Sequence, residues 1–321
     1  MRAVWYERLG PAREVLQFGE MPDPQPAPGE VRVRVAYSGV NPSDVKRRAG
    51  SNVAAMPFPR VIPDMDGSGV IDRVGAGVDE RRIGERVWLH STQWKRPHGT
   101  GAEYAVTPGA RAIALPGNIS LEAGASLGVP AMTAHRAVFG CGSVTGKTVL
   151  VTGGAGAVGF YAIQLAKWGG ARVIATVSGE DKAALASKAG ADAVVNYKRA
   201  KVEEAVDHVV EVDFGANLAQ TLACVRDGGS IATYASMGKP EPALPFYPMM
   251  FKNLRLLWVF VYEMPAEAIE AAARDVNAWL IAGRALLPPF TRFPLERLAD
   301  AHVAVEQGAV GKVLVQCGPG G

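Results

Sequence analysis

Three glycines in VLVTGGAGAVGFYAIQLAK, Val149 to Lys167, have the spacing G-x-G-x-x-G: Gly154, Gly156 and Gly159. A short β-prone run leads into them and an apolar helical pattern follows at once. In that setting each glycine has a physical task. The first makes a tight turn, the second lets the backbone approach a pyrophosphate, and the third allows helix and sheet to pack closely. The helix start adds unpaired N–H groups and a partial positive charge. The pattern predicts a dinucleotide site; a glycine-rich turn without a ligand is the plainer alternative.

The end of the next strand bears on which dinucleotide. NAD sites usually place Asp or Glu there for the ribose hydroxyls. This chain has Val177-Ser178-Gly179. Ser178 and Lys182 suit a 2′-phosphate, and Tyr197, at the end of the following strand, is a third contact. The reading is NADPH. Glu180 and Asp181 stand against it, although acids also favour a helix start.

The elements that must position these residues follow from periodicity. From about Leu121 onward strands and helices alternate. Strands are expected at Thr148–Val151 and Arg172–Val177, and in AVVNY, HVVEV, SIATYA and LRLLWVFVY. Helices are expected at about Gly156–Trp168, Asp181–Ala189 and Ala266–Ala282, with LEAGASLGVPAMTAHRAVFG helical but broken at Pro130. Such alternation argues for a parallel sheet covered by helices. Before Leu121 the chain reads as short strands between Gly/Pro turns, a barrel-like β domain. EVRVRVAYSGV, for instance, alternates like a half-buried strand.

Global properties narrow the classes. The 321 residues suggest two domains, and a net charge of +3, without a basic or aromatic stripe, argues against a nucleic-acid partner. No apolar run approaches the length of a membrane span, and no signal-peptide pattern opens the chain. Three widely separated cysteines, Cys141, Cys224 and Cys317, suggest no disulfide framework and fit a reducing cytoplasm. No Cys precedes Cys141 and no C-x₂-C pair exists, so a catalytic or structural zinc is not expected. His90 and His98 read as loop or core histidines, and His135 as a buried, satisfied one.

As an ordered set, these segments resemble the zinc-free, zeta-crystallin-like quinone oxidoreductase branch of the medium-chain dehydrogenase/reductase superfamily. The set runs from MRAVWYERLGPAREVLQFGE through SGVNPSDVKRRAG, GERV, GVPAMTAHRAV, LVTGGAGAVG and NLAQTLACVRDGGSIATYAS to GAVGKVLV, nearly the whole chain. The resemblance implies an α/β protein with a GroES-like β-barrel domain, residues 1–124 with 265–321, and a Rossmann domain, residues 125–264. It implies NADPH held in the cleft between them, a small quinone or enone as the other substrate, and a homodimer or dimer-based tetramer.

Carried over by position, Ala155, Gly156, Ala157 and Val158 would wrap the pyrophosphate. Ser178, Lys182 and Tyr197 would hold the adenosine-phosphate end. Thr233, Tyr234, Ala235, Ser236, Val259, Phe260 and Val261 would line the nicotinamide and its ribose. Thr133 would approach the nicotinamide, and Asn41 would face nicotinamide and substrate. Tyr262 and Tyr234, at strand ends, are candidate substrate walls. Where some relatives carry tyrosines, this chain has Lys46 and, nearby, Asn52. Where some place a phosphate-gripping arginine near the C-terminus, it has Gln307 or Lys312.

The chemistry so implied is hydride transfer to an electron-poor acceptor, with Asn41 donating to the developing oxyanion and Lys46 supplying positive charge. Asn41 reads equally as a turn residue before Pro42, and Lys46 with Arg47 and Arg48 as one solvated basic face. Quinone reduction leads, reduction of an enone or alkenal double bond rivals it, and a non-catalytic NADPH-binding or crystallin-like role is the reading from another class.

Overall fold

The computed structural model describes residues 1–51 and 54–318. Asn52 lies outside the described residues. Two compact units divide the chain: Met1–Val129 with the chain from Leu287 onward, and Pro130–Leu286.

The first unit opens with β1 (Arg2–Trp5), α1 (Ala12–Val15), β2 (Gln17–Glu20), β3 (Glu30–Val40), α2 (Pro42–Ala49), β4 (Asp66–Val74), β5 (Arg86–Leu89), β6 (Tyr104–Pro108), β7 (Ala112–Ala114) and α3 (Leu121–Gly124). After α4 (Gly128–Phe139), the second runs through β8 (Thr148–Val151), α5 (Ala157–Trp168), β9 (Arg172–Val177), α6 (Glu180–Lys188), β10 (Ala193–Asn196), β11 (Val206–Glu211), α7 (Phe214–Cys224), β12 (Val225–Thr233), α8 (Phe246–Phe251), β13 (Arg255–Trp258) and α9 (Ala266–Ile281). β14 (Phe290–Pro294), α10 (Leu298–Glu306) and β15 (Lys312–Gln316) return to the first unit.

The first unit is built on a seven-stranded sheet in the order β14-β15-β3-β4-β5-β7, with β6 also paired to β3. Its long strand β3 is used on both edges: β4 along one, β6 and then β15 along the other. That explains a difference from its alternating sequence. β3 is buried on both faces for most of its length, Arg32 included. The Arg32 guanidinium is paired with Asp72 at 2.6 Å and lies 4.6 Å from the Tyr104 ring centroid. A buried arginine is tolerable only when paired in this way. Val35, Val40, Leu298, Val313 and Val315 form one core of this unit, and Val31, Val33, Ile71, Val87 and Leu89 another.

The second unit is a six-stranded, wholly parallel sheet in the order β10-β9-β8-β11-β12-β13, the doubly wound arrangement. The strand order reverses between β8 and β11, and in such sheets the crevice at that point, outside the carboxyl ends of the strands, is where ligands bind. β8, β9, α5, α6 and α9 fall within a residue or two of their sequence-predicted bounds. Pro130 does not break a helix: it is the third residue of α4, where a missing N–H costs nothing. The interruption comes earlier, at residues 125–127, between α3 and α4.

The segment 265–286, assigned by sequence to the first domain, packs with the second unit. The reason is local. Trp279 of α9 meets Tyr161 of α5 edge-on at 5.9 Å. The Gln164 side chain holds Leu286 through both its amide hydrogen-bonding groups, at 3.0 and 2.8 Å.

Candidate functional site

The turn between β8 and α5 is compact. Its left-handed residue is Gly153, at φ 66°, one place before the first motif glycine. Gly154 is needed instead for closeness: a Cβ there would stand 2.9 Å from the Ala175 Cβ on β9. A Cβ on Gly159 would run into the Gly153 carbonyl oxygen, so only glycine lets α5 start against the turn. At Gly156 the space is open but for that same oxygen at 3.4 Å. The α5 ladder begins with the Phe160 amide on the Gly156 carbonyl, 2.8 Å. The amides of Ala157, Val158 and Gly159 therefore have no intrahelical acceptor, the donor set that helix N-termini offer to phosphates.

The strands on either side carry Ser178, Tyr197 and Thr233 to Ser236 to the same edge of the sheet. Ser178 follows β9, and its Oγ accepts a hydrogen bond from Lys182 Nζ at 3.1 Å. Tyr197 follows β10; its amide donates to the Val177 carbonyl at 3.1 Å and its side chain is largely exposed. Thr233 ends β12, and Tyr234, Ala235 and Ser236 follow it. Two of their hydroxyls are already engaged: Thr233 Oγ1 donates to the Ala235 carbonyl, and Ser236 Oγ takes the Gly215 amide and donates to the Lys239 carbonyl. Burial and the neighbouring Glu211 push the Tyr234 phenol well above its ordinary pKa. Beyond β13, Val259 and Val261 are buried, Phe260 is exposed and Tyr262 half-buried, with the Phe260 and Tyr262 rings edge-on at 5.3 Å. Thr133 is buried on α4.

One residue of this edge escaped the sequence reading. Glu211, the last of β11, is wholly buried. Its Oε1 accepts from Thr152 Oγ1, the Asp213 amide and Asn217 Nδ2 at 2.7–2.8 Å, and its Oε2 from Thr221 Oγ1 at 3.2 Å. It ties the glycine turn to the β11–α7 turn across the reversal point. The signal was present in HVVEV: an acid in an apolar parallel strand needs partners when buried.

In the first unit Asn41 and Lys312 take places different from those the sequence suggested. Lys312, expected at a 2′-phosphate, is buried at the start of β15. Its Nζ donates to Asn41 Oδ1 at 2.6 Å and to Asp66 Oδ2 at 3.2 Å. A buried ammonium needs its carboxylate, and Asp66 holds it there. Asn41 is buried as well. Its Nδ2 donates to Asp66 Oδ2 at 2.7 Å and to the Gly39 carbonyl at 3.3 Å. Both amide hydrogens are committed inside the protein, so the carboxamide has none to offer an oxyanion in this arrangement. Asp66 Oδ1 takes the Val129 amide at 2.8 Å. The Asn41 amide donates to Asp44 Oδ2 at 2.8 Å, fastening the start of α2. Burial, and the charges of Asp64 and Asp66, raise the Asp44 carboxyl well above the usual range. Beside them Asp64 accepts from Ser38 Oγ at 2.9 Å and faces His302 Nε2 at 3.0 Å.

Lys46, also on α2, is half-buried, and that burial lowers its pKa. Arg48 is enclosed and bonded to the Gly10 carbonyl and Glu306, so the three consecutive cations are not one solvated face. Arg47 lies over the Trp94 ring, 4.6 Å from its centroid. His90 is buried, with its pKa pushed down to about 4 by burial and by Arg111. His135 is buried, with Asp275 at 3.0 Å. Among the described residues no group of three or more His, Cys, Asp and Glu side chains is arranged to hold a metal ion. Nor is any helix there long and apolar enough to cross a membrane.

Two domain families match this chain: the alcohol dehydrogenase GroES-like domain over residues 27–117, and the zinc-binding dehydrogenase over residues 157–277. Together with the glycine turn on a doubly wound sheet, they define a two-domain medium-chain dehydrogenase/reductase. The quinone oxidoreductase of Lama guanicoe is 30% identical over 331 residues, covering 98% of this chain and 97% of that one. The chain belongs to the quinone oxidoreductase family of that superfamily and is an oxidoreductase. The chloroplastic NADPH-dependent alkenal/one oxidoreductase of Arabidopsis thaliana is 29% identical over 297 residues, covering 89% of this chain and 72% of its own. Among solved structures, an NAD-dependent alcohol dehydrogenase is 32% identical with TM-score 0.86, covering 99% of this chain and 100% of its own. A mycobacterial protein complexed with NADPH is 25% identical with TM-score 0.84, covering 98% and 99%.

Proposed function

We propose that this chain is an NADPH-dependent reductase of quinones. One observation carries the cofactor choice. At the end of β9, where an NAD site needs an acid, stands Ser178, hydrogen-bonded to Lys182 at 3.1 Å. The residues fit the dinucleotide: the turn admits no Cβ at Gly159, has open space at Gly156, and presents the first amides of α5. When bound, NADPH supplies a hydride to the acceptor, on whose oxygen negative charge develops.

The chain's own residues then divide the work. Gly153–Gly159 and the start of α5 bind the pyrophosphate. Ser178, Lys182 and Tyr197 bind the adenosine end. Glu211 holds the glycine turn in shape. Lys46, rather than Asn41, is the group that answers the oxyanion, with a proton on Nζ. Asn41 orients the start of α2, which carries Lys46. The reaction runs without zinc. In support, the three cysteines, Cys141, Cys224 and Cys317, lie far apart in the chain and form no C-x₂-C pair.

The same reading extends to a homodimer. β13 is an edge strand of the six-stranded sheet. Around it Phe246, Tyr247, Phe251, Trp258 and Phe260 are all more than half exposed. An open strand edge flanked by aromatic side chains suits pairing with a second copy.

The test follows NADPH and NADH oxidation by purified protein with a para-quinone, an ortho-quinone and a simple enone. Turnover of NADPH with a quinone is the expected result. Turnover with the enone alone would favour the second reading, reduction of a conjugated double bond, to which the alkenal/one relative points. A strong preference for NADH would overturn the cofactor assignment.

A further inference from the structure

The NADPH reading leaves an acid at the phosphate end of the site. Glu180 begins α6, two residues after Ser178 and two before Lys182. A carboxylate there repels a 2′-phosphate. The structure pairs it: Arg199 Nη1 donates to Glu180 Oε1 at 3.2 Å. Arg199 arrives there through a fixed turn. The Asn196 carbonyl accepts the Arg199 and Ala200 amides at 2.9 and 3.0 Å, and Asn196 Oδ1 takes the Lys198 amide at 3.1 Å. The Tyr197 amide on the Val177 carbonyl sets this turn beside Ser178. Both members of the ion pair are largely exposed, 75% and 79% by side chain, so the pair adds little to stability and separates readily.

We propose that Arg199 is a cofactor-specificity residue, one that releases Glu180 and takes the 2′-phosphate together with Ser178 and Lys182. This rests on the NADPH reading. It explains how a rim carrying Glu180 and Asp181 accepts a dianionic group. Arginine offers a fork of donors that suits phosphate oxygens better than the single carboxylate oxygen it now meets. Lys182 alone would have to offset the phosphate charge and Glu180 together.

Calorimetric titration with 2′,5′-ADP and with 5′-AMP separates the two ideas, because neither nucleotide needs turnover. Wild type is expected to prefer 2′,5′-ADP. Arg199→Gln should weaken 2′,5′-ADP about tenfold and leave 5′-AMP unchanged, the loss of one charge-assisted contact. Glu180→Gln should strengthen 2′,5′-ADP, and more so at low salt, where exposed charges are less screened. An unchanged preference in Arg199→Gln, or equal weakening of both nucleotides, overturns the role of Arg199. A wild type that does not distinguish the two nucleotides removes the NADPH reading, and this proposal with it.

Discussion

Two regions of the molecule hold residues that look chemical, and they are built on opposite plans. In the first unit Asn41, Asp44, Asp64, Asp66, His302 and Lys312 are buried and largely partnered with one another. At the carboxyl edge of the second unit's sheet, Lys182 and Tyr197 are exposed, Ser178 is half-buried, and the first amides of α5 have no intrahelical acceptor. The difference teaches how to weigh a polar residue. Each buried charge is costly to leave alone, so a closed network commits its donors to structure. An open rim leaves its donors uncommitted, as the proposed cofactor site requires.

Substitutions can break that contrast, and the largest effect belongs to the closed region. Asp66→Ala leaves Lys312 buried without its carboxylate and strands the Val129 amide and an Asn41 hydrogen. It should cost about 3–5 kcal/mol of stability, read by chemical denaturation. Loss of less than about 1 kcal/mol would mean that the network is not the structural unit described here. Next comes Gly159→Ala. Its Cβ would meet the Gly153 carbonyl, so the turn must open. Dinucleotide affinity should fall about a hundredfold, since a contact geometry of about 1 Å precision is lost. Titration with NADPH measures it.

At the open rim the balance reverses. Lys182→Glu should leave the unfolding free energy within about 0.5 kcal/mol of wild type, as a surface substitution does, while NADPH affinity drops tenfold or more. Unchanged NADPH binding would refute the assignment of the phosphate end. The smallest effect sharpens the comparison at a half-buried residue. Burial lowers the pKa of Lys46 below its usual 10.5. If the protonated form serves the oxyanion, turnover falls as pH rises through that lowered value. Lys46→Met should abolish this alkaline limb and lower kcat more than it raises KM. Retention of the limb in Lys46→Met would assign it to another group.

Much of this was legible in the sequence, for definite reasons. Glycine spacing, strand–helix alternation and the order of segments are local signals, and α5, β8 and β9 follow them closely. What escaped depended on partners distant in the chain. Lys312 looks like a free cation until Asp66, far away in sequence, is brought beneath it. Asn41 looks like a ready donor until the same carboxylate takes its hydrogen. Arg32 looks like the solvent face of an alternating strand until β6 and Asp72 close over it. The run 265–286 carries no local mark of which unit it joins, since Tyr161 and Gln164 decide that by packing. Glu211 was visible as an acid in an apolar strand, but one of its four partners, Thr152, comes from a distant segment.

β13 has one further consequence. Its last residue, Trp258, and the Phe260 that follows belong at once to the open edge of the sheet and to the rim where the dinucleotide would lie. Anything that docks on that edge also stiffens the rim, because the two share the same few residues of backbone. If a second copy pairs there, as proposed, assembly and cofactor affinity become one linked equilibrium. On that proposal, dilution alone should loosen the grip on the nucleotide, and adding nucleotide should favour the dimer.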